Sequence, residues 1–126
     1  MDPTKKKTGQ QKADGGLIVA STKKTVLMIE VKRCSHDESK EDFLKLMNSM
    51  IKTYNRQKNY IVGILVVGEL IVVYLIMKKG GYRCILEVSR CYFPVTIDDF
   101  SRIPRLYCTL KKAMNLIEIS VENHFS

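Results

Sequence analysis

Apolar residues along this chain fall into short runs with strand character and longer stretches with helical spacing. Runs within 14–20 and 25–33 are separated by a polar, lysine-rich turn, which predicts two strands. Residues 39–57 instead repeat apolar side chains at intervals of three and four, which predicts an amphipathic helix. Ser39 followed by Asp42 resembles a capping box at its start. The apolar face, which we expect to pack on a sheet, comprises Phe43, Leu46, Met47, Met50, Ile51 and Tyr54.

Residues 60–77 have almost the composition of a transmembrane helix. They contain a single charged residue, Glu69, and their length is close to that of a membrane span. Valine and isoleucine favour strands, however, and the central Gly68-Glu69 pair suits a two-residue hairpin turn. A carboxylate at the centre of a bilayer would cost roughly 2.5–3.5 kcal/mol, whereas a hairpin tip leaves it in water. The pattern therefore predicts an antiparallel hairpin of 61–67 and 70–77, with a small membrane protein anchored through 60–77 as a distant alternative.

Further elements follow this hairpin. Gly80-Gly81 is a turn signal, and the residues after it predict another strand over 82–90. Pro104 fits the first turn of a closing helix, where the N–H that proline lacks would be unpaired anyway. The predicted apolar stripe of that helix comprises Leu106, Tyr107, Leu110, Met114 and Ile117. Together these elements predict an α/β fold.

Length, composition and charge limit the organisation of the chain. With 126 residues, 45% of them hydrophobic, the chain suits one globular domain. Residues 1–12 are polar and lysine-rich, so we expect a disordered basic leader, a domain of 13–120 and a tail of 121–126. The net charge of +8 favours a polyanionic partner, although solubility alone accounts equally well for such an excess.

The cysteines and the N-terminal residues bear on the cellular compartment. The four cysteines form no Cys-x-x-Cys pair, so zinc is not expected. No apolar signal stretch stands near the N-terminus. We therefore expect an intracellular protein, nuclear or cytoplasmic rather than secreted, with reduced thiols.

Two charged residues interrupt the apolar run of the second predicted strand. Glu30 and Lys32 lie two residues apart, and strand alternation places both on one face. Asp14 opens the preceding strand. Two carboxylates and an ammonium group on neighbouring strands can hold a divalent cation and assist proton transfer, which is typical of phosphodiesterase chemistry. The structural alternative is a pair of charges at a solvated strand end.

With Asp14, Glu30-Val31-Lys32 and the helix that follows, the chain resembles the PD-(D/E)XK nuclease superfamily. The resemblance implies a restriction-endonuclease-like mixed sheet with flanking helices, here lacking the usual first helix and strand. The proline that usually precedes the family's aspartate is Ala13 in this chain. These departures are those of a truncated or degenerate member.

The resemblance also implies a mechanism and a partner. Asp14 and Glu30 would bind Mg²⁺ or Mn²⁺, with the backbone carbonyl of Val31 as a third ligand. Lys32 would assist the attacking water, and the substrate would be nucleic acid, with DNA favoured. Lys23 and Lys24 would be among the contacts to the nucleic-acid backbone. The rival hypothesis is a catalytically inactive nuclease-fold remnant that binds nucleic acid or protein.

Overall fold

The computed structural model describes residues 15–32 and 39–125. It is α/β, with one five-stranded mixed sheet and two α-helices, so the predicted fold class is confirmed at this level. The strands are β1 (Gly15–Val19), β2 (Lys24–Lys32), β3 (Ile61–Val67), β4 (Leu70–Lys79) and β5 (Tyr82–Tyr92). The helices are α1 (Ser39–Gln57), α2 (Ile103–Phe125) and a 3-10 helix (Ile97–Arg102) that leads into α2.

The strands lie in the sheet in the order of the sequence, β1 to β5. β1 and β2 pair antiparallel, whereas β2 and β3 pair parallel. A parallel pair needs a crossover connection, and α1 provides it. β3, β4 and β5 then pair antiparallel in succession. The first half of the fold is thus a hairpin, a crossover helix and a parallel strand.

The predicted hairpin over 61–67 and 70–77 is confirmed. Val67 pairs with Leu70 across a two-residue turn, and Gly68 has a φ of +59° there. A positive φ at this position is what a primed hairpin turn requires and what glycine tolerates. No helix within 15–32 or 39–125 is long and apolar enough to cross a membrane.

Helix α1 packs on one face of the sheet through large apolar side chains. Leu46, Met47, Met50 and Tyr54 are buried in one cluster with residues of β3 and β4, and Ile51 packs against it. Gly63 of β3 lies directly beneath α1, since a Cβ at this position would collide with Met50 Sδ. Phe43, the first residue of the predicted stripe, remains 38% exposed and contacts the Tyr74 ring edge-on, with the ring centroids 5.7 Å apart. The predicted packing of α1 is therefore confirmed, with Phe43 at its margin.

Helix α2 covers the opposite face of the sheet, but the predicted stripe for this helix is wrong at three of its five positions. Tyr107, Leu110 and Met114 are 44–63% exposed. The side chains of α2 that face the sheet most closely are instead small, namely Thr109, Ala113 and Ser120. They bring the helix backbone close to the sheet, where larger residues at those positions would not fit. Leu106 and Ile117 are half-buried beside them.

Polar contacts fix α2 at both ends. The hydroxyl groups of Thr109 and of Ser89 in β5 share a buried hydrogen bond of 2.9 Å, and the Ser120 hydroxyl donates to the backbone carbonyl of Tyr60. The helix continues to Phe125, so residues 121–125, which the sequence pattern leaves in a tail, are helical.

Candidate active site at the carboxyl end of the parallel strands

The carboxyl ends of β2 and β3 and the start of α1 meet at one edge of the sheet. A crossover helix runs antiparallel to the strands that it connects, so α1 begins near the end of β2. The Gly68 N–H donates to the Lys32 carbonyl at 2.9 Å, which holds the end of β2 against the β3–β4 turn. In open α/β sheets, ligands bind at the carboxyl ends of the parallel strands.

Glu30 is buried beneath α1. Its side chain is 2% exposed, and its neighbour in β3 is the buried residue Leu65. The Lys45 ammonium nitrogen lies 3.5 Å from Glu30 Oε2 and is about one-third exposed. A carboxylate taken out of water costs several kcal/mol unless a cation or hydrogen bonds compensate it. The pair with Lys45 thus keeps an ionised Glu30 compatible with its burial.

Lys32 lies two residues beyond Glu30 on the same face of β2. It is exposed, about 7 Å further along the strand, towards the edge of the sheet. Val31 points to the opposite face and is half exposed. Glu30 and Lys32 therefore share one face of β2, one buried and one open to solvent.

Asp14 lies outside the described residues, and so does Arg33. The residue after Asp14 in the sequence, Gly15, pairs with Ile29, the residue before Glu30. The role of Asp14 and that of the Val31 carbonyl therefore remain predictions.

Asp42 is a further acid at this edge, and sequence analysis assigned it only to helix capping. It belongs to the first turn of α1, one helical turn before Lys45, so the two side chains lie on one side of the helix. Asp42 is 8% exposed, and its Oδ2 atom makes no hydrogen bond within the part of the chain that the structure describes. The sequence signal was spacing, since Asp42, Ser49 and Thr53 recur at helical intervals beside the apolar stripe. The structure buries all three.

The donor chemistry of this edge suits a hard divalent cation. Carboxylate oxygens are the ligands that Mg²⁺ prefers, and it keeps several waters when bound. Residues 15–32 and 39–125 contain no group of three or more histidine, cysteine, aspartate or glutamate side chains placed to hold a metal ion. Glu30 and Asp42 do not form such a group, and Asp14, the predicted ligand, lies outside the described residues.

Tyr74 lies on the same face of the sheet but is a packing residue. Burial, with a smaller contribution from the charge of Glu87, raises the pKa of its phenol above the usual range. The phenol therefore stays protonated at neutral pH and provides no base for proton transfer.

A group of seven basic side chains lies at the other end of the sheet. This group, called the basic edge below, comprises Lys23, Lys24, Arg56, Lys58, Lys78, Lys79 and Arg83. Lys24 begins β2, about 20 Å from Glu30 along the strand. Lys23 and Lys24 therefore cannot contact the same phosphate as Lys32, and they would bind nucleic acid several nucleotides away from the candidate site.

No known protein family, curated protein or solved structure matches this chain.

Proposed function

We propose that the protein is a metal-dependent phosphodiesterase with a restriction-endonuclease-like fold, acting on nucleic acid and preferably on DNA. The observation that carries this proposal is the placement of Glu30 and Lys32. A buried carboxylate and an exposed ammonium group share one face of β2 where the parallel strands end.

The order of elements supports the assignment. The resemblance implies an Asp-bearing strand, a Glu-x-Lys strand, a helix and a further strand. β1, β2, α1 and β3 follow in this order, with β1–β2 antiparallel and β2–β3 parallel.

Each residue has a distinct role in the proposed mechanism. Asp14, Glu30 and the Val31 carbonyl would hold Mg²⁺ or Mn²⁺, and the bound ion would supply charge to polarise the scissile phosphate and lower the pKa of a bound water. Lys32 orients the attacking water and stabilises the negative charge that develops on the phosphate. Its exposure leaves it accessible to a substrate that approaches along the sheet edge. The protein acts in the nucleus or cytoplasm, where Cys84, Cys91 and Cys108, which are free thiols, remain reduced.

A plasmid-cleavage assay with and without Mg²⁺ tests the proposal. Lys32→Ala should reduce cleavage by about a hundredfold or more if Lys32 assists the water, while the exposed and remote Lys112→Ala serves as the matched control. Glu30→Gln and Asp14→Asn should abolish the Mg²⁺-dependent cleavage. Cleavage that survives Lys32→Ala, or that is lost equally in Lys112→Ala, would contradict the assigned role.

The alternative of an inactive nuclease-fold remnant that binds nucleic acid is favoured by two observations. Glu30 is covered by α1 and engaged by Lys45, and the basic edge lies at the opposite end of the sheet. Under this alternative, binding should be independent of Mg²⁺ and should weaken steeply with salt. Substituting both Lys78 and Lys79 by alanine should then reduce the slope of log K against log[salt] by about 1 for each phosphate that the protein no longer neutralises. An unchanged slope of log K against log[salt] would show that the basic edge is not the binding surface.

A further inference from the structure

The carboxylate of Asp42 is buried with one oxygen unpaired within the described residues. Buried polar atoms in native proteins nearly always have hydrogen-bond partners, so an exception calls for an explanation. Asp42 is more than nine-tenths buried, and its Oδ2 atom has no hydrogen-bond partner in the described residues. A buried carboxylate in this state costs stability, and such costs are retained mainly at functional sites.

The surroundings of Asp42 identify what its carboxylate is placed to bind. Three residues later on α1, Lys45 extends to Glu30 Oε2 at 3.5 Å. Residues at i and i+3 of a helix are neighbours, with Cβ atoms about 5–6 Å apart. Lys45 is therefore a neighbour of both the acid of β2 and the acid of α1. Its ammonium group pairs with Glu30, whereas Asp42 Oδ2 receives no hydrogen bond from it.

We propose that Glu30 and Asp42 form a divalent-cation site in which the Lys45 ammonium is the resident counter-ion that the metal displaces. A divalent cation carries enough charge to balance both carboxylates. Lys45 is about one-third exposed, and its flexible side chain can turn out to solvent when the cation enters. The inference rests on the proposed function for the choice of a divalent cation, and it assigns a ligand to α1 that the three-residue motif does not contain.

Cation binding can be measured without any cleavage, by following free Mn²⁺ by electron paramagnetic resonance during titration with the protein. Asp42→Asn keeps the shape of the side chain but removes its charge, and it should weaken Mn²⁺ binding by about tenfold or more. Glu41→Gln is the matched control, because Glu41 is the neighbouring acid in the same helical turn and is exposed. Equal binding by Asp42→Asn and the wild type would overturn the proposal.

The Lys45→Met variant tests whether the cation displaces the Lys45 ammonium group or whether the Lys45–Glu30 ion pair is only structural. If the cation replaces the ammonium group, removing the ammonium should strengthen Mn²⁺ binding several-fold. Weaker or unchanged binding in a folded Lys45→Met variant would overturn the displacement.

Thermal unfolding gives a second readout that a structural role would not produce. Without metal, Asp42→Asn should unfold at a higher temperature than the wild type, because a buried carboxylate oxygen that lacks a hydrogen-bond partner within the described residues is replaced by a neutral group. Added Mn²⁺ should raise the unfolding temperature of the wild type and of Glu41→Gln but not of Asp42→Asn. A lower unfolding temperature for metal-free Asp42→Asn would show that Asp42 is stabilising and would overturn the proposal.

These measurements also distinguish this inference from the proposed phosphodiesterase. Mn²⁺ binding that depends on Asp42 but is not accompanied by cleavage would support the cation site and count against the enzyme. Mg²⁺-dependent cleavage with Mn²⁺ binding unaffected by Asp42→Asn would do the reverse.

Discussion

The two helices of this protein cover opposite faces of one sheet in physically different ways. α1 fills its interface with Leu46 and Met50, which are both fully buried. α2 places Thr109, Ala113 and Ser120 against the sheet and leaves larger apolar residues in water. Large side chains gain stability in proportion to the apolar area that they bury. Small ones gain less from area, but they allow close approach and hydrogen bonds between helix and sheet. An apolar stripe therefore does not by itself identify the helix face that packs on the sheet.

The largest expected difference between the helices lies in leucine truncation. Leu46→Ala should lower the free energy of unfolding by about 2–5 kcal/mol, since it leaves a cavity in a fully buried position. Leu110→Ala in α2 should cost no more than about 1 kcal/mol, because Leu110 is 44% exposed. Urea unfolding of both variants measures this, with the exposed Leu44→Ala as the control on α1. Similar losses for Leu46→Ala and Leu110→Ala would mean that α2 buries its apolar stripe, contrary to the structure.

The same comparison explains how far sequence analysis reached. The bounds of α1 and the β3–β4 hairpin were predictable, because their periodicity and turn residues agree with their packing. The face of α2 was not, since Tyr107, Leu110 and Met114 are more apolar than Thr109 and Ala113, and only tertiary contact makes the smaller residues the buried ones.

The candidate site was predictable only in part, for a related reason. Glu30 and Lys32 stand out in sequence because charges interrupt an apolar strand, and alternation fixes their common face. The contact between Lys45 and Glu30 joins residues whose proximity depends on how α1 returns over the sheet. Asp42 was assigned to capping because local patterns reveal helix ends more readily than burial. The positions of Lys45 and Asp42 in the site therefore follow from the tertiary structure and not from the sequence pattern.

A smaller effect is expected from enlarging a residue beneath α2. Ala113→Leu should destabilise the protein by about 1–3 kcal/mol, since the added atoms must force α2 away from the sheet or into unfavourable rotamers. The control is Cys108→Leu, which also enlarges a small side chain but at an exposed position of the same helix. The unfolding temperatures of both variants measure this effect. If Ala113→Leu were as stable as the wild type, α2 would not lie close to the sheet at this position.

The smallest expected effect concerns the polar contacts through which the chain enters α2. Asp99 Oδ2 accepts hydrogen bonds of 3.1 Å from the backbone N–H groups of Val95 and Thr96, and these bonds lower the pKa of the Asp99 carboxyl, with a smaller contribution from the nearby charge of Arg102. A lowered folded-state pKa means that the stabilisation is fully present above the ordinary aspartate pKa of about 3.9 and is lost as the pH falls through the folded-state value. The stability difference between the wild type and Asp99→Ala should therefore stay constant from about pH 7 to about pH 5 and shrink below about pH 4. Urea unfolding across this pH range measures it, with Asp98→Ala as the matched control in the same turn. If Asp98→Ala showed the same pH dependence, the effect would arise from the net charge of the turn, and the hydrogen bonds of Asp99 would have no special part in anchoring α2.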